Sequence, residues 1–435
     1  MKKINKNILI IGGLGHWSNK TYLPALSDEF FEGKLIICDI KDNDTKYDFI
    51  KLTPKANEEN IKLIRNKIKE NSINVIIIST PPEYHYIYLK GLVDLGINII
   101  CDKPLIADYD YKEILNKYYY ILNKKSNLIY SPLRRQIQSY YKKIYDEINL
   151  INREYDQNVK LVAYYENDGC HRWDDEMEID FAHGYKSGLG KLSHTGYHII
   201  DIVSRIINEG CKNIQRISCE VLDENLVAEN HNSKTNKNIR MLLGAKECGN
   251  YKLSEKTKNA ELDITIKYTV YFHDDIPTYV YLFLRHSGVS HRATVHYDSK
   301  NTGDDGRTDD STFLVEQGAF QNIYGSIFAD SSNKGSNGKS YLTIKRHPII
   351  SENLGKKILE TKKIINSEEM STVEIVHDLI NSFDDLSLQE KYQGVEFDNQ
   401  ILTMELFVAA LISKQKHKKI DWKIGKLNDN LHRWS

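Results

Sequence analysis

The first 128 residues constrain the fold most, because they alternate two patterns. Short apolar runs at Ile8–Ile11, Leu35–Cys38, Val75–Ile78 and Ile97–Cys101 are separated by stretches of helical period at Leu23–Phe31, Ile61–Lys69 and Tyr86–Leu95. The last of these closes at Gly96, a residue suited to a helix C-terminus. Continuous apolar runs this short are strands buried on both faces. Strands of that kind, joined by helices, form a parallel sheet with helices on either side. Such sheets bind ligands beyond the carboxyl ends of their strands.

Those strand ends carry the residues of interest. Gly12-Gly13-Leu14-Gly15-His16-Trp17-Ser18 follows the first run directly. Read as Gly13-x-Gly15-x-x-Ser18, it is a variant of the dinucleotide fingerprint, in which glycines let the backbone approach a pyrophosphate. Asp39 ends the second run, 24 positions after Gly15. A carboxylate there accepts hydrogen bonds from ribose hydroxyls and repels a 2′-phosphate, so NAD(H) is favoured over NADP(H). Asp42 and Asp44 act in the same sense. Thr80 and Pro81 follow the third run and hold an extended turn before a helix that contains His85, either facing the crevice or capping the helix. Asp102, Lys103 and Pro104 follow the fourth run. A lysine at that position can hold a substrate oxygen and stabilise negative charge developing on it. Gly13, Leu14, Gly15, Asp39, Thr80, Pro81, His85, Asp102 and Lys103 are therefore the candidate cofactor-binding residues.

Beyond residue 128 the pattern changes to longer, alternating strands. Leu262, Ile264, Ile266, Tyr268, Val270 and Phe272 share one face, and Asp263, Thr265, Lys267 and Thr269 the other. A period of two predicts an antiparallel sheet with one face buried and the other freer. Further strands are expected at Leu161–Tyr165, Tyr279–Leu284, Ala293–Tyr297 and Tyr341–Lys345, with polar loops at Asn230–Asn238, Ser299–Thr312 and Ser331–Ser340. The tail from Gln400 to Lys414 reads as an amphipathic helix. The expected organisation is a Rossmann dinucleotide-binding domain over 1–128 and a substrate-binding and oligomerisation domain over 129–435, an α/β domain with a large open, mostly antiparallel sheet.

A second group of ionisable residues lies at His194, His198 and Asp201, spaced to share one face of a helix. Histidine exchanges a proton near neutral pH, which suits acid–base work. A zinc site could draw on His194, His198 and either His183 or Cys170, but the H-E-x-x-H pattern is missing and no metal is expected. The acidic stretch Asp304–Asp310 lacks the spacing of a calcium loop and reads as a solvated loop.

Composition narrows the partners. Lys and Arg total 59 against 60 Asp and Glu, a net charge of −1 that gives no support for nucleic acid or an anionic membrane. The six cysteines are scattered without a C-x-x-C pair, which fits a reducing cytoplasm. The basic N-terminus precedes an apolar run too short for a leader, and no segment is long enough to span a membrane.

Taken together the motifs resemble the Gfo/Idh/MocA oxidoreductases, the glucose-fructose oxidoreductase and inositol dehydrogenase group. Gly13-Leu14-Gly15 is similar to the family's glycine turn and Leu23-Pro24-Ala25-Leu26 to its following helix. Thr80-Pro-Pro-Glu-Tyr-His85 is similar to its T-P-x-x-x-H segment. Asp102-Lys103-Pro104 is similar to its E-K-P signature with Asp for Glu, and Gly196-x-His198-x-x-Asp201 to its G-x-H-x-x-D signature. Residues 400–413 look like its C-terminal helix. The resemblance implies catalysis and substrate holding by Lys103, proton transfer by His198, and homodimers or homotetramers. It places Lys103, His194, His198 and Asp201 at a small-molecule substrate. The family usually carries Asp where this chain has His194, so His194 joins the candidate catalytic residues and Asp201 is the alternative orienting acid. The expected activity is hydride transfer between NAD(H) and a hydroxyl or carbonyl carbon of a sugar, cyclitol or nucleotide sugar. The alternatives are reduction of an imine or other conjugated substrate, and a regulatory protein that binds these ligands without turnover.

Overall fold

The computed structural model describes residues 3–15, 17–42, 46–108, 110–168, 177–178, 184–242, 252–288, 308–330, 339–365 and 370–427. The chain forms two compact units, Met1–Ile137 with Met370–Met404, and Gln138–Glu369 with Glu405–Ser435.

The first unit contains a six-stranded sheet of β1 (Ile8–Ile11), β2 (Leu35–Asp39), β3 (Asp48–Lys51), β4 (Val75–Ile78), β5 (Asn98–Cys101) and β6 (Ile129–Tyr130), in the order β3-β2-β1-β4-β5-β6. Every neighbouring pair is parallel. The order reverses between β1 and β4, and that switch point is where a doubly wound sheet takes its ligand. All four residues of β1 and of β4 are buried, which is why their sequence is unbroken Ile, Leu and Val. The helix Glu58–Glu70 starts at Asn57, whose side chain accepts the Asn60 N–H. The helix Pro82–Leu92 runs into one tight turn, Val93–Leu95, that ends at Gly96 with φ +71°.

One expectation fails here. The helix anticipated over Leu23–Phe31 covers Leu23–Ala25, preceded by a π turn at Ser18–Tyr22. Ile4 pairs with Phe31 as a parallel bridge, its N–H donating to Phe30 O at 2.8 Å. The N–H groups that would continue the helix bond three residues back instead, Ser27 to Pro24 O at 3.3 Å and Phe30 to Ser27 O at 2.8 Å. Strands β3 and β6, both short and partly polar, lay outside the sequence expectation.

The second unit contains nine strands: β7 (Leu161–Asp168), β8 (Ile214–Leu226), β9 (Glu261–Phe272), β10 (Thr278–Arg285), β11 (Thr308–Gln317), β12 (Gln321–Asp330), β13 (Lys339–Arg346), β14 (Leu359–Ile365) and β15 (Ile420–Trp422). Their order is β14-β13-β12-β11-β7-β10-β9-β8-β15. The neighbours are antiparallel except β7 and β10, which run parallel with Arg285 opposite Asn167. The fold class is thus an α/β chain with a Rossmann sheet and a large, mostly antiparallel second sheet, as the sequence implied.

Alternation on β9 sorts the faces as expected, and Leu262 through Phe272 on the apolar face are buried. The polar face is less open than anticipated, since Asp263, Thr265 and Thr269 are buried as well. Thr265 and Thr269 lie opposite Phe283 and Tyr279, whose larger side chains shade them. Those aromatics belong to an exposed row. Phe283 is in register with Tyr165, Tyr165 with Thr312, Thr312 with Ser326, and Ser326 with Tyr341.

Two further expectations are corrected. The polar segment Asn230–Asn238 is helical, in the helices Val227–Asn232 and Lys234–Leu242. Ser233 separates them, and its hydroxyl accepts the Asn236 N–H at 3.0 Å. The tail helix, Ile401–Lys416, is not amphipathic: almost every residue from Leu402 to Ser413 is buried. Its buried Glu405 is satisfied by the indole N–H of Trp422 and the N–H groups of Gly425 and Leu427, each at 3.1 Å. The expected strand Ala293–Tyr297 lies outside the described residues. So do most of the loops at Ser299–Thr312 and Ser331–Ser340 and part of the stretch Asp304–Asp310, where Thr308 already begins β11 and Lys339 begins β13.

Candidate functional site

The turn after β1 is built on close approach. Gly12 has φ +84°, and a Cβ there would lie 2.3 Å from the carbonyl oxygen of Ser79, the residue after β4. Only glycine fits both conditions. The sequence pattern put its weight on Gly13 and Gly15. Gly13 is held by Ile37, since a Cβ would meet its Cγ2 at 2.7 Å, and Gly15 packs over the Gly12 carbonyl. The Ser18 hydroxyl donates to Gly12 O at 2.9 Å and closes the turn. Asp39, nearly buried at the end of β2, accepts the Leu14 N–H on Oδ2 at 2.9 Å and the Lys41 N–H on Oδ1 at 3.0 Å. Each oxygen keeps a further lone-pair direction for a ribose hydroxyl.

The segments after β4 and β5 are locked together beside this turn. The Ser79 hydroxyl donates to Asp102 Oδ2 at 2.7 Å, and the Tyr22 hydroxyl donates to Oδ1 of the same carboxylate. Burial pushes the Asp102 carboxyl above its ordinary range, against the hydrogen bonds from Tyr22 and Ser79 and the nearby His85 and Lys103. Burial and Asp102 together push the Tyr22 hydroxyl well up. His85 is fully buried. Its Nδ1 lies 2.9 Å from Pro104 O and its Nε2 2.8 Å from Thr80 O. The ring therefore ties the Thr80-Pro81 turn to the segment that presents Lys103, a positioning task that uses both nitrogens. Lys103 is half-buried. A polar hollow of about 390 Å³, lined by Lys6, Asn74, Asn98 and Asn127 among others, lies at the opposite, amino ends of the strands, away from this chemistry.

In the second unit, His194 lies in a π turn, Leu192–Gly196, and His198 and Asp201 in the α-helix Tyr197–Gly210 that follows. The Gly196 N–H reaches back to Lys191 O at 2.9 Å. This wider turn advances His194 relative to the other two, so the regular helical spacing read from sequence does not hold across it. His194 and His198 are half-buried, and Asp201 is buried close enough to Tyr145 to add to the burial that raises its hydroxyl.

What the π turn faces was not anticipated. Glu166 and Asp168 alternate along β7, and His286 directly follows β10; all three are fully buried. Lys191, also fully buried, pairs with Glu166 at 2.6 Å and donates to the Thr195 hydroxyl. Thr195 Oγ1 lies 3.2 Å from His286 Nε2, and the Tyr185 hydroxyl meets His286 Nδ1. The His194 and His286 rings stand edge to face with centroids 5.4 Å apart. No spacing rule relates residues 168, 194 and 286, because a parallel strand junction brings the first and last together. Cys170 and His183 lie outside the described residues.

A parallel doubly wound sheet with a glycine turn and a strand-end carboxylate defines an NAD-binding Rossmann domain. Residues 6–129 match the family model described as "Oxidoreductase family, NAD-binding Rossmann fold". Over this domain, residues 6–129, the chain matches the Gfo/Idh/MocA family model. No curated protein sequence matches the chain. Similar solved structures include a myo-inositol dehydrogenase from Corynebacterium glutamicum, at 12% identity, TM-score 0.52 and coverage of 97% of this chain and 99% of that one. An oxidoreductase from Agrobacterium radiobacter, in complex with NAD+, L-tartaric acid and magnesium, aligns at 10% identity, TM-score 0.53 and 98% and 100% coverage. A third, an oxidoreductase from Sinorhizobium meliloti, aligns at 11% identity, TM-score 0.54 and 97% and 100% coverage. At these identities the likeness is one of fold. No helix among the described residues is long and apolar enough to cross a membrane.

Proposed function

We propose that this protein is a dehydrogenase that uses NAD(H) in preference to NADP(H) and acts on a hydroxyl or carbonyl carbon of a sugar, cyclitol or nucleotide sugar. The observation that carries the reading is Asp39, hydrogen-bonded to the glycine turn itself through Leu14. A carboxylate fixed there accepts from ribose hydroxyls and repels a 2′-phosphate. Gly12, Gly13, Leu14 and Gly15 hold the pyrophosphate by backbone approach, and the Thr80-Pro81 turn and Asp102 shape the nicotinamide end. The bound cofactor supplies the hydride acceptor, and the rest of the chemistry falls to the chain. His198 accepts the hydroxyl proton. Lys103, next in the chain to the half-buried Asp102, holds a substrate oxygen and stabilises its developing charge. His194 and Asp201 set the environment of His198.

The exposed row Phe283, Tyr165 and Tyr341 supports a homo-oligomer formed through the open sheet, since aromatic side chains of this size favour burial in an interface. The balanced charge and the scattered cysteines support a cytoplasmic setting. Reduction of an imine or conjugated substrate is the second reading, motivated by His194 in the position of the family's Asp. The test is reduced-nicotinamide absorbance with NAD and with NADP against sugars, inositols, nucleotide sugars and imines. Turnover of a polyol with NAD, at least about 10-fold better than with NADP, is expected from one misplaced phosphate contact. Turnover of imines alone would replace the sugar reading, and equal use of both cofactors would remove Asp39 from its role.

A further inference from the structure

We propose that Asp168, His194 and His286 bind a divalent transition metal of the zinc class, in place of the metal-free site expected from sequence. Donor atoms of the three side chains all lie within 4.8 Å of one another, with His286 Nε2 3.9 Å from Asp168 Oδ2. Two imidazoles and a carboxylate form an established donor set for zinc and for other first-row divalent ions. Bonds of about 2 Å require donor atoms about 3.3 Å apart, so side-chain rotations of about 1 Å close the set.

The topology explains why the three meet. Strands β7 and β10 are the parallel pair in the described sheet, so their carboxyl ends lie side by side and put Asp168 next to His286. The π turn then lays His194 over both. Gly196 allows that approach, since a Cβ there would meet Leu284 Cδ1 at 3.0 Å.

One tautomer of His286 suits ligation and both neighbours. Lys191 can only donate, so Thr195 Oγ1 accepts from it and keeps its own proton available for His286 Nε2. With the lone pair on Nε2, Nδ1–H donates to the Tyr185 hydroxyl. This is the form in which a histidine ligates through Nε2 while an outer partner holds the other nitrogen. The ion takes the place of the threonine proton at that lone pair. The Asp168 carboxylate faces the His286 ring, its Oδ2 3.9 Å from Nε2. Asp168 and His286 close the site from within, while half-buried His194 leaves one side open for water or a ligand oxygen.

The site shares His194 with the proposed catalytic group, and its metal binding is tested apart from turnover. The full chain is stripped with a chelator, then titrated with Zn²⁺ by calorimetry and with Co²⁺ by visible absorption, alongside NAD binding as the control for folding. The expected result is one Zn²⁺ per wild-type chain with a cobalt spectrum of low coordination number. Stoichiometric binding should be lost in Asp168→Asn, His286→Ala and the half-exposed His194→Ala, with NAD binding kept. Tyr185→Phe should weaken Zn²⁺ by roughly 10- to 100-fold by freeing the His286 ring. Wild type that binds no Zn²⁺, or variants that bind it as wild type does, would overturn the site without touching the cofactor domain. Loss of NAD binding in wild type would instead strike the oxidoreductase reading.

Discussion

The two sheets treat charge in opposite ways. In the N-terminal sheet the central strands are wholly apolar, and the ionisable groups Asp39, Asp102 and Lys103 appear at or just beyond their carboxyl ends. In the second sheet charge is carried inside. Glu147 pairs with Arg346 at 2.7 Å, Lys191 with Glu166 at 2.6 Å, and Lys414 with Glu261, all largely buried. Where a sheet buries nothing but hydrocarbon, an ionisable residue marks a site by position alone. Where a sheet buries ion pairs, burial of charge is no marker, and donor geometry has to distinguish a site from a structural pair.

That contrast can be broken by substitution. Lys191→Met leaves Glu166 charged in a dry setting and should cost about 4 kcal/mol in denaturant unfolding of the second unit. Lys191→Met with Glu166→Leu should recover most of that loss, because an apolar pair of similar volume replaces a buried ion pair at little cost. If the double variant is no better than the single, the pair does more than balance charge. Glu147→Gln comes next, at about 3 kcal/mol. Burial pushes the Glu147 carboxyl up, but hydrogen bonds from Lys143, Lys356 and Arg346 outweigh it and hold the group at about 2. A carboxyl depressed in the folded state stabilises above its unfolded value near 4.5 and loses that contribution as pH falls toward 2. Wild type should lose on the order of 2 kcal/mol across that window, after allowance for solvent screening, and Glu147→Gln should lose less.

The apolar sheet gives a smaller energetic effect with a sharper functional one. Gly12→Ala forces a side chain into φ +84° against Ser79 O, which should cost about 2 kcal/mol and abolish measurable NAD binding. Unchanged binding would show that the turn tolerates displacement. The smallest effect on folding is expected from Phe283→Glu on the exposed aromatic row. Light scattering should show dissociation of an oligomer with the melting of the protomer nearly unchanged.

The legibility of the two regions follows from the same contrast. Runs such as Ile8–Ile11 and Val75–Ile78 announced the parallel sheet, because a strand buried on both faces can be nothing else at that length. The placement of Asp39 and Lys103 at or just past strand ends was readable, because a strand end is a position in sequence. Gly12 was missed in favour of Gly13 and Gly15, since the Ser79 carbonyl that demands it is 67 residues away. The helix at Asn230–Asn238 was hidden by poor helix formers that local capping rescues. The Asp168–His194–His286 cluster was unreadable, because a parallel junction between β7 and β10 and a π turn assemble it, and neither has a local pattern. His85 illustrates the reverse. It was read as facing the crevice or capping the helix, and both its nitrogens lie at backbone carbonyls.

The central claim is hydride transfer with NAD that depends on Lys103. The direct measurement is reduced-nicotinamide formation by wild type and Lys103→Ala on the same polyol panel, with NAD binding measured in parallel. The account predicts turnover in wild type, a loss of roughly 100- to 1,000-fold in kcat for Lys103→Ala, and NAD affinity unchanged. Wild-type turnover in the variant would contradict it.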